Sequence, residues 1–460
     1  MDRKITSALK SWKDNKNGKC LTIQGQRQVG KTYSIRKFAL ENYEYFVYLD
    51  FSKSPYLKEA FQDDLSVDVI VRKLSMLIDG AIFIPYKTMI FFDEIQDCPR
   101  ARTSLKSFAE DGRYDVISSG SLMGVSNIFT KKTFNDGDDV MPPLNPMGYE
   151  RVLTMRSMDF EEYLWAIGFP KDILADVKEK IVSKTPLEKT ELDVINRHFR
   201  DFMIVGGMPE SVRCFITDGK YSSSGEVLDI ILSGVVNDIN RYNDPINAHK
   251  TRRCFESIPE QLSSNNKKFQ YSRIDKTSGS RASAVKYFEN LLWLEGAGYG
   301  NFCYALESPT LPFKRIDDSF KIYLSDTGML VRMMGRSAAM AVFDDDMKFN
   351  MGALMENVVA ECITKCGYNP RFYRKSSGSN QMELDFVIDM LGESTVIEVK
   401  SGKTRSSPSI SKVVDVFDVD RRVMFENGNI SVDGDGVEHY PLFVAAFIDL
   451  LERHWDGPEF

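Results

Sequence analysis

Histidines, cysteine pairs and long apolar runs are scarce in this sequence, and each scarcity argues against a class of protein. The 460 residues include four histidines, which lie far apart, and seven cysteines. Cys362 and Cys366 are the closest cysteine pair, and no second pair follows to complete a zinc site. An odd number of scattered cysteines favours reduced thiols over disulfides. We therefore expect neither a histidine-rich metal centre nor a disulfide framework.

The chain also lacks any stretch near the roughly 18 uninterrupted apolar residues that indicate a membrane-spanning helix. Its first residues have no apolar signal-peptide core, so we expect a cytoplasmic protein without a membrane partner. The formal net charge is −7, from 59 basic and 66 acidic residues. This balance argues against nonspecific nucleic-acid binding by the whole surface, although it leaves local basic patches open.

What the sequence does contain is a glycine-rich loop of the G-x-x-x-x-G-K-[ST] type. It spans residues 25–32, after the apolar run 20–24 and before the helix-compatible run 33–40. This is the strand, loop and helix context of a phosphate-binding loop, in which backbone N–H groups converge on an anion. We predict that the loop binds ATP through Gly25, Gln28, Val29, Gly30, Lys31 and Thr32. A tight turn without nucleotide is the alternative.

The same pattern predicts where the metal and the attacking water are held. Lys31 is expected to reach the β- and γ-phosphates, and the Thr32 hydroxyl to hold Mg²⁺. The apolar run 88–92 ends in Asp93 and Glu94, which is typical of a buried parallel strand. We predict that Asp93 holds Mg²⁺ and that Glu94 orients or deprotonates the water. An ordinary strand with acidic residues at its end is the alternative.

Two further apolar runs, 45–50 and 114–118, predict neighbouring strands of the same sheet. The second run ends in the segment Ser118-Ser119-Gly120-Ser121. A hydroxyl here, for which Ser119 is the candidate, would contact the γ-phosphate or the water. A plain turn at the end of the strand explains the same residues equally well.

The alternation of apolar patterns predicts an α/β chain with four parts. Residues 1–157 alternate strands and helices, as a P-loop NTPase domain should. Residues 158–244 have a helical pattern, which Gly206-Gly207-Met208-Pro209 must break with a turn. Residues 245–335 and 336–460 are the remaining two parts.

The region 245–335 has the element order of a winged helix, with wing strands at 301–306 and 320–324. Between residues 250 and 289, nine lysines and arginines stand against four aspartates and glutamates. Residues 280–292 are therefore a candidate recognition helix, and DNA a candidate partner. The alternative is a solvated charged face on a domain that packs against its neighbours.

A second group of charged residues lies in two strand-like runs of the C-terminal third, whose spacing suits a hairpin. A turn centred on residues 391–392 places Asp385 directly opposite Glu398, with Cβ atoms roughly 5 Å apart. Lys400 lies on the same face. Two carboxylates this close repel each other unless a cation lies between them, and oxygen ligands suit Mg²⁺ or Mn²⁺. We therefore predict a metal site at this hairpin, which Glu356, on the helical run 352–362, would complete.

These residues carry a family resemblance. Glu356, Asp385 and the Glu398-x-Lys400 pair resemble the PD-(D/E)xK nuclease signature. In those nucleases the acidic residues bind the metal and the lysine positions or activates water for phosphodiester hydrolysis. The resemblance therefore implies a nuclease-like α/β domain at 336–460 and a catalytic role for Lys400.

Most of the chain resembles one larger family. The resemblance rests on four segments, RQVGKT at 27–32, DEIQ at 93–96, GGMPE at 206–210 and FKIYLSDTG at 320–328. They resemble prokaryotic AAA-type ATP-binding proteins with a C-terminal domain of unknown function and a nuclease-like core. The resemblance covers residues 3–405. It departs at Tyr149-Glu150-Arg151, where relatives show Gly-Arg, and this weakens Arg151 as a phosphate-sensing arginine.

Two functions follow as hypotheses. In the first, an ATP-hydrolysing AAA-type switch is joined to a metal-dependent nuclease-like domain that acts on nucleic acid. In the second, the protein is an ATP-gated regulator whose C-terminal domain keeps its carboxylates, cleaves nothing and docks a protein partner. Mg²⁺ or Mn²⁺ held jointly by Asp385 and Glu398 would separate the two. A second copy of the chain is a further candidate partner.

Overall fold

The computed structural model describes residues 1–122, 146–274, 284–345, 351–376, 381–400 and 408–452. The chain divides into two compact units. The N-terminal unit comprises Asp2–Ser157 with Gly296–Gly298, and the C-terminal unit comprises Met158–Glu295 and Tyr299–Phe460. Each unit has its own β-sheet. No helix in these described ranges is long and apolar enough to span a bilayer.

The N-terminal unit is built on a parallel sheet. Its strands are β1 (Cys20–Gln24), β2 (Tyr45–Asp50), β3 (Thr88–Asp93), β4 (Asp115–Gly120) and β5 (Glu150–Thr154). They pair in the order β2-β3-β4-β1-β5, and every pairing is parallel. Helical segments are α1 (Ile5–Asp14), α2 (Lys31–Asn42), α3 (Val67–Leu77) and α4 (Pro99–Asp111), with short 3₁₀ turns at Pro55–Phe61 and Ile95–Asp97. The strands predicted from the apolar runs are all present.

The strand β3 lies between β2 and β4 and is buried along its whole length. Phe92 packs edge to face on Phe61, with ring centroids 5.4 Å apart, and on Phe108, at 5.9 Å. Phe91 lies on the opposite face, 5.3 Å from the Tyr48 ring. Each buried phenylalanine contributes about 1.5–3 kcal/mol, and edge-to-face geometry adds to this. Burial on both faces explains the uninterrupted apolar run, and it fixes the strand that ends at Asp93.

The C-terminal unit begins with helices, as predicted for residues 158–244. These are α5 (Phe160–Ala166), α6 (Lys171–Val182), α7 (Lys189–Val205), α8 (Pro209–Asp218) and α9 (Tyr221–Tyr242). The chain then continues through α10 (Pro245–Leu262), a 3₁₀ turn at Tyr271–Arg273 and α11 (Ala284–Gly296). Later helices are α12 (Thr327–Met334), α13 (Arg336–Asp344), α14 (Met351–Lys365) and α15 (Pro408–Val416), and a 3₁₀ segment covers Leu442–Leu451.

The second sheet is mixed. Its strands are β6 (Gly300–Leu306), β7 (Arg315–Leu324), β8 (Arg371–Lys375), β9 (Met382–Met390), β10 (Glu393–Val399), β11 (Arg421–Glu426), β12 (Ser431–Val432) and β13 (Glu438–Pro441). They lie in the order β12-β13-β11-β10-β9-β8-β6-β7. The pairings of β6 with β8, β10 with β11 and β11 with β13 are parallel, and the others are antiparallel.

The structure does not divide the chain at residue 335. The strands β6 and β7, predicted as the wing of a winged helix, pair with each other, but β6 also pairs with β8. All seven residues of β6 are buried. A strand buried along its length needs a partner on each side, whereas a wing is an exposed hairpin. The region predicted as 245–335 therefore shares one sheet with the region predicted as 336–460.

Candidate functional site

The glycine-rich loop connects β1 to α2 at the carboxyl edge of the parallel sheet. A side chain at Gly25 would place its Cβ 2.1 Å from the carbonyl oxygen of Met155, so only glycine fits there. Gln28 and Gly30 have φ values of 64° and 96°. Left-handed residues of this kind turn successive N–H groups toward one point and form an anion-binding concavity. The structure thus gives the loop the curvature that a phosphate cradle requires.

Lys31, the first residue of α2, is buried within this loop. Its Nζ donates to the carbonyl oxygens of Gly25, at 2.9 Å, and Gln26, at 2.7 Å. These partners are neutral and belong to the loop itself. Lys31 thus lies at the position where the loop would meet a phosphate.

Asp93 is the centre of a set of hydroxyl donors. Its Oδ2 accepts from Thr32 Oγ1 and from the Tyr48 hydroxyl, each at 2.9 Å, and its Oδ1 accepts from Ser119 Oγ. The structure therefore brings together the predicted Asp93, Thr32 and Ser119 from three different elements. A buried carboxylate with three hydroxyl partners is oriented without being neutralised.

Glu94, directly after β3, has the left-handed backbone conformation (φ 54°, ψ 49°). A residue with a Cβ pays about 1 kcal/mol or more for this conformation. The side-chain amide of Gln96 donates to Glu94 Oε2. The strained backbone and the amide together aim the carboxylate, which is the arrangement expected of a water-orienting residue.

In the C-terminal unit, the hairpin of β9 and β10 has the register that the sequence predicts. Glu393 pairs with Met390 and Ile397 with Phe386, so the next pair in that register is Asp385 with Glu398. Asp385 Oδ2 accepts from the backbone N–H of Val399 at 3.0 Å. Lys400 Nζ donates to Glu398 Oε1 at 2.7 Å.

Glu356, from α14, is buried and has basic partners. Its carboxylate accepts from Lys267 Nζ and, at 2.9 Å, from the Tyr323 hydroxyl. Lys321 Nζ lies 3.9 Å from Glu356 Oε2 and 3.5 Å from Glu383 Oε1. Lys321 is only 1% exposed, so its charge depends on these carboxylates. We call Glu356, Asp385, Glu398, Lys267, Lys321 and Lys400 the carboxylate–lysine cluster.

The pKa shifts describe how the cluster distributes its charge. Burial raises the pKa of Asp385 well above its usual value, and the charges of Glu356 and Glu398 raise it further. Burial would also raise the pKa of Glu356, but Lys321 and Lys267 outweigh it and hold that pKa low. The pKa of Lys321 is raised, because its acidic neighbours outweigh the cost of burial. Glu356 and Lys321 therefore form a buried ion pair.

The carboxylates Glu356 and Glu398 of the cluster lie beside lysine ammonium groups. Within the ranges that the structure describes, no group of three or more histidine, cysteine, aspartate or glutamate side chains is arranged to hold one. The ammonium groups of Lys267, Lys321 and Lys400 supply the positive charge that a divalent cation would otherwise provide. The predicted metal ligands Glu356, Asp385 and Glu398 are thus neighbours of lysines here.

Three protein-family models match separate parts of the chain. Residues 17–164 match the model of a family described as an AAA domain. The N-terminal unit is an ATPase domain of the P-loop type. Residues 196–339 and 351–443 match two domains of unknown function, DUF8612 and DUF4143. No match was found among curated proteins.

Solved structures that resemble the chain include the following three. The Walker-type ATPase PABY2304 of Pyrococcus abyssi is 15% identical over 72% of this chain and 95% of its own, with a TM-score of 0.42. The Aeropyrum pernix ORC1 protein in complex with DNA is 12% identical over 75% and 91%, at 0.31. Drosophila ORC bound to DNA is 11% identical over 72% and 84%, at 0.25. Likenesses this weak assign no function to the chain.

Arg151 lies away from the loop of the ATPase domain. It is exposed on β5, an edge strand, where it pairs in register with Leu21. The loop begins after Gln24, which pairs with Thr154. Three strand residues, about 10 Å, therefore separate Arg151 from the level of the loop. This position does not suit a phosphate-sensing arginine.

The segments GGMP at 206–209 and DTG at 326–328 contact each other inside the C-terminal unit. Gly207 N donates to Asp326 Oδ2 at 2.8 Å. A Cβ at Gly206, whose φ is 74°, would lie 2.3 Å from Asp326 Oδ1. A Cβ at Gly328 would lie 2.5 Å from the Gly206 backbone. The glycines of GGMP and DTG therefore permit close backbone packing, and this pair of motifs is structural.

The basic surface proposed for DNA is only partly described. Lys276 and Arg281 lie outside the described residues, as does the start of the recognition helix predicted at 280–292. Lys267 bonds to Glu356 in the carboxylate–lysine cluster. Arg273 Nε donates to Gln270 Oε1 at 2.9 Å. Lys267 is thus better explained as part of the cluster than as a phosphate contact.

Sequence reasoning missed several residues that the structure adds to these sites. Tyr48 bridges Asp93 and Asp50, with its hydroxyl 3.1 Å from Asp50 Oδ2. The sequence contained a signal for this arrangement, because the run 45–50 ends in an aspartate just as β3 does. In the structure Asp50 pairs with Asp93 in register. For Lys321, the signal was a lysine inside the apolar strand 320–324. Lys267 gave no signal beyond the general basic patch.

Proposed function

We propose that this protein is a Mg²⁺-dependent ATP hydrolase whose nucleotide site is the glycine-rich loop. The observation that carries the proposal is the arrangement around Asp93, which joins the Thr32 hydroxyl of the loop to Ser119 at the end of β4. This arrangement fits a magnesium ion, because it combines a hard carboxylate with a hydroxyl beside a phosphate cradle. Thr32 and Asp93 would hold the ion, which supplies charge neutralisation to the phosphates.

The remaining residues of the loop have distinct tasks. Lys31 would exchange its carbonyl partners for the β- and γ-phosphate oxygens, which are stronger acceptors because they are charged. The N–H groups around Gln28, Val29 and Gly30 would bind the phosphates from the other side. Glu94 would hold the attacking water and accept its proton, while Ser119 would contact the γ-phosphate or that water.

Turnover of ATP by the Glu94→Gln variant tests this mechanism. The substitution keeps the size and hydrogen-bonding capacity of the side chain but removes its basicity. We expect ATP binding to persist and hydrolysis to fall at least ~100-fold, the usual scale for a positioned base. Glu110→Gln, an exposed change on α4, is the matched control. Parent-level turnover in the Glu94 variant would remove Glu94 from the mechanism.

For the C-terminal unit, the geometry best supports the regulator. In this function the ATPase domain gates the docking of a partner, and the C-terminal unit binds without cleaving. The supporting observation is the carboxylate–lysine cluster, in which Lys267 and Lys321 already neutralise Glu356. A site that is neutral before any metal arrives gains less from binding one.

Metal-dependent cleavage of nucleic acid is the second candidate. The hairpin register favours it, because Asp385, Glu398 and Lys400 converge at one end of the β9–β10 hairpin as in the resemblance. In that function Mg²⁺ or Mn²⁺ would have to displace the lysines from the carboxylates. DNA would then be a substrate, and a second copy of the chain remains a candidate partner that sedimentation with and without ATP would detect.

Calorimetric titration with Mn²⁺ separates the two functions. The parent and the Asp385→Asn variant are titrated beside a cleavage assay on single-stranded, duplex and branched DNA and on RNA, with and without ATP. The regulator requires no Asp385-dependent metal uptake and no cleavage. Metal uptake that is lost in Asp385→Asn but kept in the control Asp415→Asn, an exposed change on α15, would instead establish the nuclease site.

A further inference from the structure

One pocket of the C-terminal unit shares no residue with the carboxylate–lysine cluster. Its volume is about 360 Å³, within the range of roughly 300–1,000 Å³ that holds small organic ligands. The residues that matter below are apolar or aromatic (Leu306, Phe313, Tyr368) and polar (Arg315, Asn369, Arg371). The lining is more polar than apolar, which suits a charged ligand, and Phe313 and Tyr368 supply its aromatic surface.

The sheet register brings the two arginines together. Arg371, at the start of β8, pairs with Tyr304 of β6, and Arg315, at the start of β7, pairs with Leu306 of the same strand. Cross-strand partners share a face of the sheet. The guanidinium carbons of Arg315 and Arg371 lie 4.3 Å and 5.9 Å from the centroid of the Tyr304 ring. Two cations therefore converge over one aromatic side chain.

The hydrogen-bond donors of Arg315 and Arg371 are only partly used. Asp317 accepts from Arg315 Nε at 2.5 Å, which leaves the terminal nitrogens of that guanidinium directed elsewhere. Arg371 donates through Nη1 to the carbonyl oxygen of Pro370 at 3.0 Å. Among the residues described here, no carboxylate forms an ion pair with Arg371. An arginine presents five donors in a planar fork, so several remain for an oxyanion.

The other acidic groups near the pocket have partners of their own. Glu295 Oε2 accepts from the Tyr304 hydroxyl at 3.0 Å, and burial raises the pKa of that carboxyl. Asp389, which also lines the pocket, accepts through Oδ1 from the N–H of the hairpin turn at 2.8 Å. Burial lowers the pKa of Arg371, and the charge of Arg315 lowers it further. An anion placed between the arginines would relieve both penalties.

The aromatic side chains that line the pocket indicate a second property of its ligand. The Tyr368 hydroxyl donates to Glu452, which fixes the orientation of its ring. Phe313 lies on the loop between β6 and β7 and lines the same pocket. Flat apolar surfaces beside an anion site suit a ligand that carries a planar ring as well as a phosphate, because nucleic-acid bases stack on aromatic side chains.

We propose that this pocket binds a nucleoside phosphate, with Arg315 and Arg371 on the phosphate and Phe313 and Tyr368 against the base. Asn369 offers an amide to the polar edge of that base. The phosphate belongs either to a free mononucleotide or to the terminal nucleotide of a nucleic-acid strand. The site lies in the C-terminal unit and does not depend on whether the glycine-rich loop hydrolyses ATP.

The test removes the other nucleotide site first. In the full chain carrying Lys31→Ala, AMP, GMP, inorganic phosphate and a tetranucleotide with and without a 5′-phosphate are titrated by calorimetry. We expect saturable binding of nucleoside monophosphates that Arg371→Gln and Arg315→Gln each weaken at least ~10-fold, as for a lost charged hydrogen bond. Arg374→Gln is the matched control, because it lies three residues along the same strand and so on the opposite face.

Each outcome decides one point. Equal affinity in the Arg371→Gln and Arg374→Gln proteins, or no saturable binding up to about 10 mM, would overturn the site. Competition by inorganic phosphate as strong as that by AMP would overturn the role of the aromatic walls. Binding of only the 5′-phosphorylated strand would identify a strand end as the source. Should Lys31→Ala fail to fold, hydrogen exchange on the parent with AMP decides, since protection at residues 306–315 and 367–371 must appear.

Discussion

Two regions of this protein contain buried carboxylates and buried or half-buried lysines, yet the partners of these charged groups differ. In the ATPase domain, Lys31 donates to the carbonyl oxygens of Gly25 and Gln26, and Asp93 accepts from hydroxyl groups. In the carboxylate–lysine cluster, Lys400 donates to Glu398 and Lys267 to Glu356. In the ATPase domain these hydrogen bonds join a charged group to a neutral one. In the carboxylate–lysine cluster they join a lysine to a carboxylate.

This difference separates a site prepared for a charged ligand from one that is already neutral. A lysine held by carbonyl oxygens keeps its full charge for a phosphate, and a carboxylate held by hydroxyls keeps its charge for a cation. An ion pair offers neither, because a ligand must first separate the partners and leave one of them buried alone. The same residue types therefore predict different chemistry, depending on what lies within hydrogen-bonding distance.

The largest effect is expected at Lys321, the buried lysine of the cluster. Lys321→Met should destabilise the C-terminal unit by about 3–5 kcal/mol, because it removes one of the two lysines that compensate the buried Glu356. Adding Glu356→Gln should recover much of this loss, since the unpaired charge is then removed. Chemical denaturation of the three proteins measures both changes.

Lys400→Met is the control for that comparison. Lys400 is more exposed than Lys321, although its partner Glu398 is buried, so its loss should cost less than the loss of Lys321. Equal costs for the two lysines would mean that Lys321 does not compensate the buried carboxylates. The cluster would then be open to a metal, and the contrast with the ATPase domain would fail.

The next effect concerns the lysine of the loop. Lys31→Ala should weaken ATP binding at least ~100-fold, about 2.7 kcal/mol, because the phosphate charge is left uncompensated. Stability should change less than for Lys321→Met, since the carbonyl groups that Lys31 binds are neutral. Lys37→Ala, a change at a partly exposed position on the same helix, is the control in equilibrium binding of a fluorescent ATP analogue. Undiminished affinity would refute the assignment of the loop.

Local patterns predicted most of the sheet strands and the shape of both sites. The hairpin register followed from the turn at residues 391–392 alone, because side chains alternate strictly along a strand. The glycine-rich loop followed because its conformation needs glycines at fixed places. In both cases the interacting residues are close in sequence or are fixed by one strand period.

Contacts between distant segments could not be predicted in this way. Lys267 approaches Glu356 across 89 residues of sequence, and β6 approaches β8 across the boundary predicted at residue 335. Periodicity determines which face a residue occupies, but it does not determine which other element covers that face. The metal site was therefore predicted from its carboxylates and Lys400, without Lys267 and Lys321.

The smallest effect is expected at Tyr48, whose hydroxyl donates to the same Asp93 oxygen as Thr32. Burial raises the pKa of this phenol, and the charge of Asp93 raises it further, so the group stays a donor throughout the working pH range. Tyr48→Phe removes one donor and leaves the ring packing on Phe91 intact. The Asp93 carboxylate should then be less firmly oriented toward the magnesium ion.

Losing such a supporting hydrogen bond costs about 10-fold in metal affinity or activity. We expect ATP hydrolysis at subsaturating Mg²⁺ to fall by this factor, and excess Mg²⁺ to restore part of it, while ATP affinity changes little. Tyr33→Phe, an exposed change on α2, is the control. If Tyr48→Phe lowers ATP affinity as much as Lys31→Ala does, the hydroxyls around Asp93 act on the nucleotide itself, and the separation between phosphate and metal roles in this domain would have to be redrawn.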